Sequence, residues 1–376
     1  MFSKIKQLSW KVLLFRSFVY GFAIIGFGLC SAWLAVKLKL TNDPGGVDVN
    51  DRYFQHATLT DDQRHALLSD SAQVESLKSL TYYKILALGV LHPKNARNIL
   101  DYYRRTEDVH TVEHMLDAMG IYMTDSSDFH KRINDNGKIF TEKKNNTSNL
   151  FWWSTVEEWP VLKVAVAKDA KVIDSVSKIT GANPRLISAV LIAEQIRLFD
   201  SRREAFKKWI QPLKILSNET TFSWGVTGIK DFTAKTIEHN LIDKNSPFYL
   251  GAAYEHLLDF KTDKPDVERF ERITNTKNHY YAYLYAALCI RQIENQWMRA
   301  GYDLTDRPEI MSTLYNIGFV ASVPKKDPQV GGSTIDIQGK KYTFGRLAYE
   351  YYFSGELATE FPYPKMKKHL RTASKL

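Results

Sequence analysis

Residues 183–199 read Asn-Pro-Arg-Leu-Ile-Ser-Ala-Val-Leu-Ile-Ala-Glu-Gln-Ile-Arg-Leu-Phe, and this stretch decides the fold. Its first two residues predict a helix start, because the Asn183 side chain can cap the first turn and Pro184 suits a position that needs no N–H donor. Residues 186–193 are apolar on nearly every side of a helix, with Ser188 as the exception. A helix of this kind is buried, so we expect the rest of the chain to pack around it.

One carboxylate, Glu194, lies near the end of this predicted helix. A buried carboxylate without a partner is costly, so the group must be ion-paired, exposed at the edge of a cleft, or kept protonated with a raised pKa. The last state describes a general acid for cleavage of a glycosidic bond. The ion-paired alternative is a structural glutamate held by Arg197 or Arg202.

The charge of the chain is concentrated at its two ends. The 376 residues carry a net charge of +9, of which +6 lies in residues 1–40 and +5 in residues 365–376, so the remainder carries −2. A composition of 44% hydrophobic and 25% charged residues is that of a globular protein. The body therefore lacks the basic surface of a nucleic-acid-binding protein, and we expect no nucleic-acid partner.

Residues 17–36 form a run of twenty uncharged, mostly apolar residues, which is the length of a membrane-spanning helix. A cleaved signal peptide usually has a shorter apolar run followed by a small-x-small cleavage site, and no such site follows here. We therefore predict a retained signal anchor. Because four basic residues precede the run, we expect the N-terminus in the cytoplasm, the anchor in the membrane, and the body on the far side of that membrane.

The chain has only two cysteines, Cys30 in the predicted anchor and Cys289 in an apolar helical stretch, residues 281–293. They cannot sensibly pair within one chain, so the body has no disulfide framework and no cysteine metal site. Cys289 is expected to be a small buried core residue.

The predicted fold class is mainly α, with four regions after the anchor. Residues 41–124 are a helical accessory domain that begins with a polar linker, 41–51. Residues 125–149 are a second linker, predicted because the stretch from Thr124 to Asn149 is polar and suits a domain boundary. Residues 150–364 are the main domain, and residues 365–376 are a basic tail. Helices are predicted near 60–68, 71–89, 93–106 and 107–119 in the accessory domain.

The main domain begins with Phe151-Trp152-Trp153, an aromatic cluster that is either a core edge or a stacking surface. One helix is then predicted over residues 161–180, joined by Gly181-Ala182 to the buried helix. This pair superficially resembles a DNA-binding helix-turn-helix, but a recognition helix needs polar side chains for the base edges, and residues 186–193 offer only Ser188.

Two later segments add polar and aromatic groups. Residues 217–230 form a polar loop that ends in Ser223-Trp224-Gly225-Val226-Thr227-Gly228-Ile229, with a helix predicted after it from Ala234. A helix starting near Pro308 ends in Thr313-Leu314-Tyr315-Asn316-Ile317-Gly318, where Gly318 suits a helix C-terminus. Taken alone, the first segment is a tight turn and the second is a helix end.

Together and in this order, the three segments resemble the lytic transglycosylase family, which has a goose-type lysozyme-like fold. Ala189 to Glu194 is similar to the family's helix ending in the catalytic glutamate. Residues 225–229 are similar to its Gly-Leu-Met-Gln-Ile loop, and residues 314–318 to its Tyr-Asn-Ala-Gly helix end. The resemblance covers residues 160–320. This sequence departs from the family pattern at Gln195 and Phe222, where the family has serine, and at Gly228, where it has glutamine.

The resemblance implies cleavage of the bond between the MurNAc and GlcNAc sugars of peptidoglycan. Protonated Glu194 would donate to the glycosidic oxygen and then act as base, leaving an anhydro end, with no metal or other cofactor. A hydrolytic variant would need a second carboxylate about 6.5–9.5 Å away, for which the sequence offers Asp200, Glu204 and Glu219. The residues implied to bind substrate are Phe222, Ser223, Trp224, Gly225, Tyr315 and Asn316.

An alternative of another class is a structural or glycan-binding component of an envelope-spanning complex, with a catalytically degenerate lysozyme-like fold. An open cleft with Tyr315 beside Glu194 favours the enzyme, whereas a cleft filled by Trp224 or a charge pair on Glu194 favours the structural component. After the helix with Tyr315, the sequence predicts a β-hairpin centred on Gln338-Gly339, with Ile335, Ile337, Tyr342 and Phe344 in its strands. We interpret this hairpin as a flap or wall beside the cleft.

Overall fold

The structure is a computed structural model that describes residues 10–37, 71–123, 150–197 and 223–364. These residues are mainly helical, as predicted. The helices are α1 (Trp10–Lys37), α2 (Ser71–Leu91), α3 (Pro93–Thr106), α4 (Val109–Met123), α5 (Trp159–Lys168), α6 (Ala170–Thr180), α7 (Pro184–Ile196), α8 (Asp231–Ile242), α9 (Pro265–Thr274), α10 (Tyr280–Arg299), α11 (Pro308–Ile317) and α12 (Phe344–Phe353). Two short antiparallel hairpins complete the fold, β1 (Ser223–Trp224) with β2 (Ile229–Lys230) and β3 (Thr334–Ile337) with β4 (Lys340–Thr343).

Helix α1 covers the apolar run of residues 17–36. Within the described parts of the chain, no helix combines the length and the apolar character required to cross a membrane.

Helix α7 lies at the centre of the main domain, as its sequence predicts. The Asn183 side chain accepts a hydrogen bond from the Arg185 N–H at 2.9 Å, which is the predicted cap. Eleven of the thirteen helix residues are buried. The helix packs against α5, α6, α10, α11 and α12. These neighbours surround it, which is what a helix with apolar residues on all sides requires.

Arg185 ties this central helix to the C-terminal part of the fold. Its side chain is completely buried, and its guanidinium donates to the backbone carbonyls of Tyr352, Glu356 and Phe361 and to the Tyr363 hydroxyl. The Tyr363 ring lies 4.0 Å from the guanidinium carbon. A buried arginine is tolerated only when its charge is compensated by such acceptors, so residues 352–363 are required to fold around it.

The helices of the predicted accessory domain pack into the same hydrophobic core as the main domain. Helix α4 contacts α12, the Tyr102 and Tyr363 rings lie 4.8 Å apart, and the backbone N–H of Leu150 donates to the Asn95 side chain. One continuous cluster of buried apolar residues runs from Ile85 to Tyr363. Residues 71–123 and residues 150–364 are therefore in extensive contact with each other.

The helix predicted over residues 161–180 is divided in two, which corrects the sequence analysis. Helix α5 ends at Lys168 and α6 begins at Ala170. The Asp169 carboxylate between them accepts from the Tyr283 hydroxyl and is paired with His279 at 2.6 Å, and both partners belong to the start of α10. A tertiary contact more than a hundred residues away therefore sets the break.

The predicted hairpin is present, and its turn has the expected chemistry. Ile335 faces Tyr342 across the ladder, and Gln338 and Gly339 both have positive φ values, as a tight two-residue hairpin requires. Phe344, predicted as part of a strand, instead begins helix α12, which the sequence analysis did not predict. All ten α12 residues are buried, and Arg346 pairs with Glu350 inside it.

Other local predictions agree with the structure. Cys289 is fully buried, Gly318 ends α11 with a φ of +87°, and α8 follows the β1–β2 hairpin. In the aromatic cluster, Phe151 and Trp153 are buried, whereas Trp152 is 39% exposed and donates to the Ile337 carbonyl. Several predictions concern residues outside the described ranges: the linkers 41–51 and 124–149, the helix 60–68 and the basic tail 365–376.

Candidate functional site

The structure brings the three segments that carry the family resemblance together around the β1–β2 turn, residues 225–228. Both glycines of this turn have positive φ values, +63° for Gly225 and +68° for Gly228, which favour glycine. A Cβ at Gly225 would overlap the backbone carbonyl of Ile273 in α9. The turn therefore needs glycine for both its conformation and its close approach to α9.

Gly228 lies directly against the carboxylate of Glu194. A Cβ at this position would overlap the Glu194 Oε2 and Cδ atoms. The absence of a side chain at Gly228 therefore lets the backbone of the turn pack against the Glu194 carboxylate.

Hydrogen bonds from three helices hold the turn in place. The Gln195 side chain of α7 donates to the Val226 carbonyl at 2.5 Å, and the Tyr315 hydroxyl of α11 donates to the Thr227 carbonyl at 2.7 Å. The Thr227 hydroxyl in turn donates to the Ala282 carbonyl of α10 at 3.1 Å. Because the bonds come from different helices, the turn is fixed relative to Glu194.

Glu194 is buried and ion-paired with Arg197, one turn further along the chain. Glu194 is 5% exposed and Arg197 is 8% exposed. The Nε of Arg197 has no hydrogen-bond partner among the described residues. An adjacent guanidinium favours the charged form of a carboxylate, whereas a general acid must hold a proton until the glycosidic oxygen takes it. The pair is the structural alternative that the sequence left open, with Arg197 as the partner.

Tyr315 is a buried phenol beside this pair. Burial is the main cause that holds the pKa of Tyr315 well above its usual value, and the neighbouring Cys289 and Glu194 raise the pKa further. The group therefore stays protonated at neutral pH and acts as a hydrogen-bond donor to Thr227 rather than as a base. Its proximity to Glu194 agrees with the predicted grouping, and its bond to the turn gives it a positioning role.

Asn316 is hydrogen-bonded to the loop that precedes the β3–β4 hairpin. Its side-chain oxygen accepts from the Ser333 N–H at 2.7 Å, and Gly332 packs against the same side chain. Asn316 is partly buried, and this contact is a local structural one.

The remaining predicted site residues precede the turn. Ser223 and Trp224 form strand β1, and their backbones pair with Lys230 and Ile229. Phe222 and the candidate second carboxylates Asp200, Glu204 and Glu219 lie outside the described residues. The described residues contain no group of three or more His, Cys, Asp or Glu side chains placed to hold a metal ion.

The backbone of the turn takes part in the site, although no site residue was predicted for its carbonyl groups. The Val226 and Thr227 carbonyls accept the bonds that fix the site, and no side-chain motif marks a carbonyl. The available signal was the pair of glycines at positions 225 and 228, since such spacing is typical of a backbone turn in close contact with another element.

Comparisons of the chain with models of known families, with curated proteins and with solved structures find no match. The resemblance to lytic transglycosylases thus rests on the residues of the three segments.

Proposed function

We propose that this protein is a lysozyme-like component of the bacterial cell envelope that binds peptidoglycan glycan without cleaving it. The observation that carries the proposal is the state of Glu194, which is buried, paired with Arg197 and covered by the backbone at Gly228. A proton donor for glycan cleavage needs access to the glycosidic oxygen and a proton to give. In the described surroundings, the turn backbone limits access to the Glu194 carboxylate, and the Arg197 guanidinium favours its deprotonated form.

The glycan part of the proposal rests on the arrangement of the fold. Glu194, the turn at residues 225–228 and Tyr315 are widely spaced in the sequence, yet they lie together: Gly228 contacts the Glu194 carboxylate, and Gln195 and Tyr315 donate hydrogen bonds to the turn. The family resemblance requires this grouping, and composition alone would not produce it. A protein that retains the grouping but neutralises its acid with an arginine fits glycan binding or docking within an envelope-spanning complex.

A second candidate function is peptidoglycan cleavage by a lytic transglycosylase, or by a hydrolase of the same fold. The specific observation in its favour is the same convergence, because the resemblance assigns substrate positioning to Tyr315 and the turn, and both lie beside Glu194. In this case Glu194 is the general acid and base, and Arg197 must leave it before the reaction.

The test uses the full-length protein and purified peptidoglycan. Binding is measured by co-sedimentation, and any released fragments are analysed by mass spectrometry. We expect retention on the peptidoglycan with no released fragments. Anhydro-muramoyl fragments would support the transglycosylase, and fragments with new reducing ends the hydrolase.

A Glu194→Gln variant separates the protein's own activity from contamination. Fragment release that disappears in this variant, while circular dichroism shows that it is still folded at the assay temperature, would overturn the non-cleaving proposal. Failure of the folded wild-type protein to bind peptidoglycan at all would overturn both candidates.

Location in the envelope is proposed from the sequence alone. What supports it is the run of twenty uncharged residues 17–36 preceded by basic residues, which is the pattern of an anchor in the bacterial inner membrane with the body in the periplasm or outside the cell. Fractionation of cells that produce the full chain tests this part: recovery in the soluble cytoplasmic fraction would contradict it.

A further inference from the structure

A polar pocket of about 280 Å³ lies between the end of α9 and the start of α10. The residues that line it are Lys261, Glu268, Glu271, Arg272, Asn275, Asn278 and Tyr281. Ligand pockets for drug-sized molecules are typically larger, about 300–1,000 Å³, so this one suits a single sugar-sized group. None of its residues belongs to the grouping around Glu194.

The floor of the pocket is held by one buried arginine. Arg272 is 8% exposed, donates to the Leu258 and Asp259 carbonyls at 3.1 and 2.8 Å, and is paired with Glu268. Its guanidinium carbon lies 4.5 Å from the centre of the Tyr281 ring. These contacts fix the floor and the aromatic wall before any ligand arrives, which lowers the entropic cost of binding.

Two asparagines supply amide donors at the pocket wall. The Asn275 side-chain oxygen accepts from the backbone N–H groups of Lys277 and Asn278, and the Asn278 side-chain oxygen accepts from that of Tyr280. Since the oxygens are used in these turns, the NH₂ groups are the part of each amide that is available to a ligand.

The charge of the pocket argues for a neutral ligand. The Arg272 and Glu268 charges compensate each other at the floor, and the exposed Lys261 and Glu271 have opposite signs. A site for phosphate would need an excess of positive groups, and a site for a cation would need an excess of carboxylates. Amide donors, opposite charges and one aromatic wall suit a ligand with hydroxyl and amide groups.

The pocket is structurally continuous with the turn at Glu194. Ile273 of α9, whose carbonyl contacts Gly225, is next to the pocket residue Arg272. Ala282 of α10, whose carbonyl accepts from Thr227, is next to the pocket residue Tyr281. Two backbone contacts therefore connect the pocket walls to the turn.

We propose that this pocket is a separate binding site for an N-acetylated sugar of the glycan strand, held by the Asn275 and Asn278 amides and by Tyr281. The ligand class rests on the function proposed above, whereas the pocket itself does not.

The test titrates the full-length protein with a β-1,4-linked tetramer of N-acetylglucosamine by isothermal calorimetry. The pocket variant combines Asn275→Asp, Asn278→Asp and Tyr281→Phe, which remove donors but keep the capping oxygens and the ring that stacks on Arg272. We expect its Kd to rise at least about tenfold, because three hydrogen bonds are lost. Asn245→Asp, an exposed asparagine outside the pocket, is the matched control and should bind as the wild type does.

The outcomes separate this inference from the proposed function. Equal affinities of the folded pocket variant and the wild type would overturn the pocket proposal. Binding of the wild type to whole peptidoglycan but not to the tetramer would also overturn it and leave the proposed function standing. Binding to neither would overturn both. Should the triple variant fail to fold, Tyr281→Phe alone replaces it, with an expected rise of about threefold for one lost hydrogen bond.

Discussion

At the scale of single residues, the pair of Glu194 and Arg197 makes a stability prediction that does not depend on activity. Arg197→Met removes the guanidinium that is paired with a buried carboxylate and should lower the free energy of unfolding by about 3–5 kcal/mol. Adding Glu194→Gln to this variant should restore most of the loss. Urea denaturation of the three proteins measures both effects.

A matched control for this pair is Lys178→Gln, which breaks an exposed ion pair with Asp174. This change should alter stability by less than about 1 kcal/mol. If Arg197→Met were as harmless as the control, Glu194 would not depend on its partner, and the argument against catalysis would lose its main support.

Gly228 gives a second residue-scale prediction. Gly228→Ala should destabilise the fold by about 1–3 kcal/mol, because an alanine is strained at this positive φ and its Cβ overlaps the Glu194 carboxylate. Gly181→Ala is the control, since Gly181 has a similar φ of +73° but ordinary packing around the added Cβ. Thermal unfolding should show a larger loss at Gly228, and equal losses would mean that contact with Glu194 is unimportant.

The sequence predicted the candidate site residues more fully than the interactions among them. Glu194 was named from its place at the end of a buried helix, and Gly225 and Tyr315 from the family resemblance; their segments do lie together. The sequence could not show whether Arg197 pairs with Glu194, because that depends on where the helix ends; Arg202, the other candidate, lies outside the described residues. The helix ends at Ile196, which makes Arg197 the C-cap.

At the scale of elements, the link between α11 and the turn of β1–β2 is carried by a single hydroxyl. Tyr315→Phe removes the donor to the Thr227 carbonyl while keeping the ring, so it should cost about 1–2 kcal/mol of unfolding free energy. Tyr302→Phe, at a partly buried ring beside Trp297, is the control and should have a smaller effect. Chemical denaturation compares the two, and a neutral Tyr315→Phe would show that the turn is held without α11.

Elements with local signals were predictable, and those defined by distant partners were not. Helices α3, α7 and α11 begin with Pro at the first helical position, and the β3–β4 turn carries Gln338-Gly339. Helix α12 was missed because all its faces are buried and its charges, Arg346 and Glu350, neutralise each other internally. In addition, Phe344 continues the apolar alternation of the hairpin strands, so the sequence pattern favoured a strand at the residue where the helix begins.

At the scale of the whole molecule, Arg185 connects the central helix to the last described residues. Arg185→Met removes the donor group for several buried carbonyls and should lower the free energy of unfolding by about 3–5 kcal/mol. Arg185→Lys should not rescue this loss, since an ammonium lacks the planar fork that reaches several acceptors. Exposed Arg97→Met is the control, and full stability of Arg185→Lys would contradict the proposed role.

The bond between Arg185 and the Phe361 carbonyl spans 176 residues, and this separation constrains how the protein is made. The residues of α7 leave the ribosome long before the carbonyl acceptors of Arg185 are synthesised. Until then this apolar segment cannot be buried without also burying a guanidinium that lacks its hydrogen-bond acceptors. Stable folding must wait until residues 352–363, which supply the acceptors, have been synthesised. Prematurely terminated products that stop before residue 350 should consequently be substrates for chaperones and proteases rather than partly working proteins.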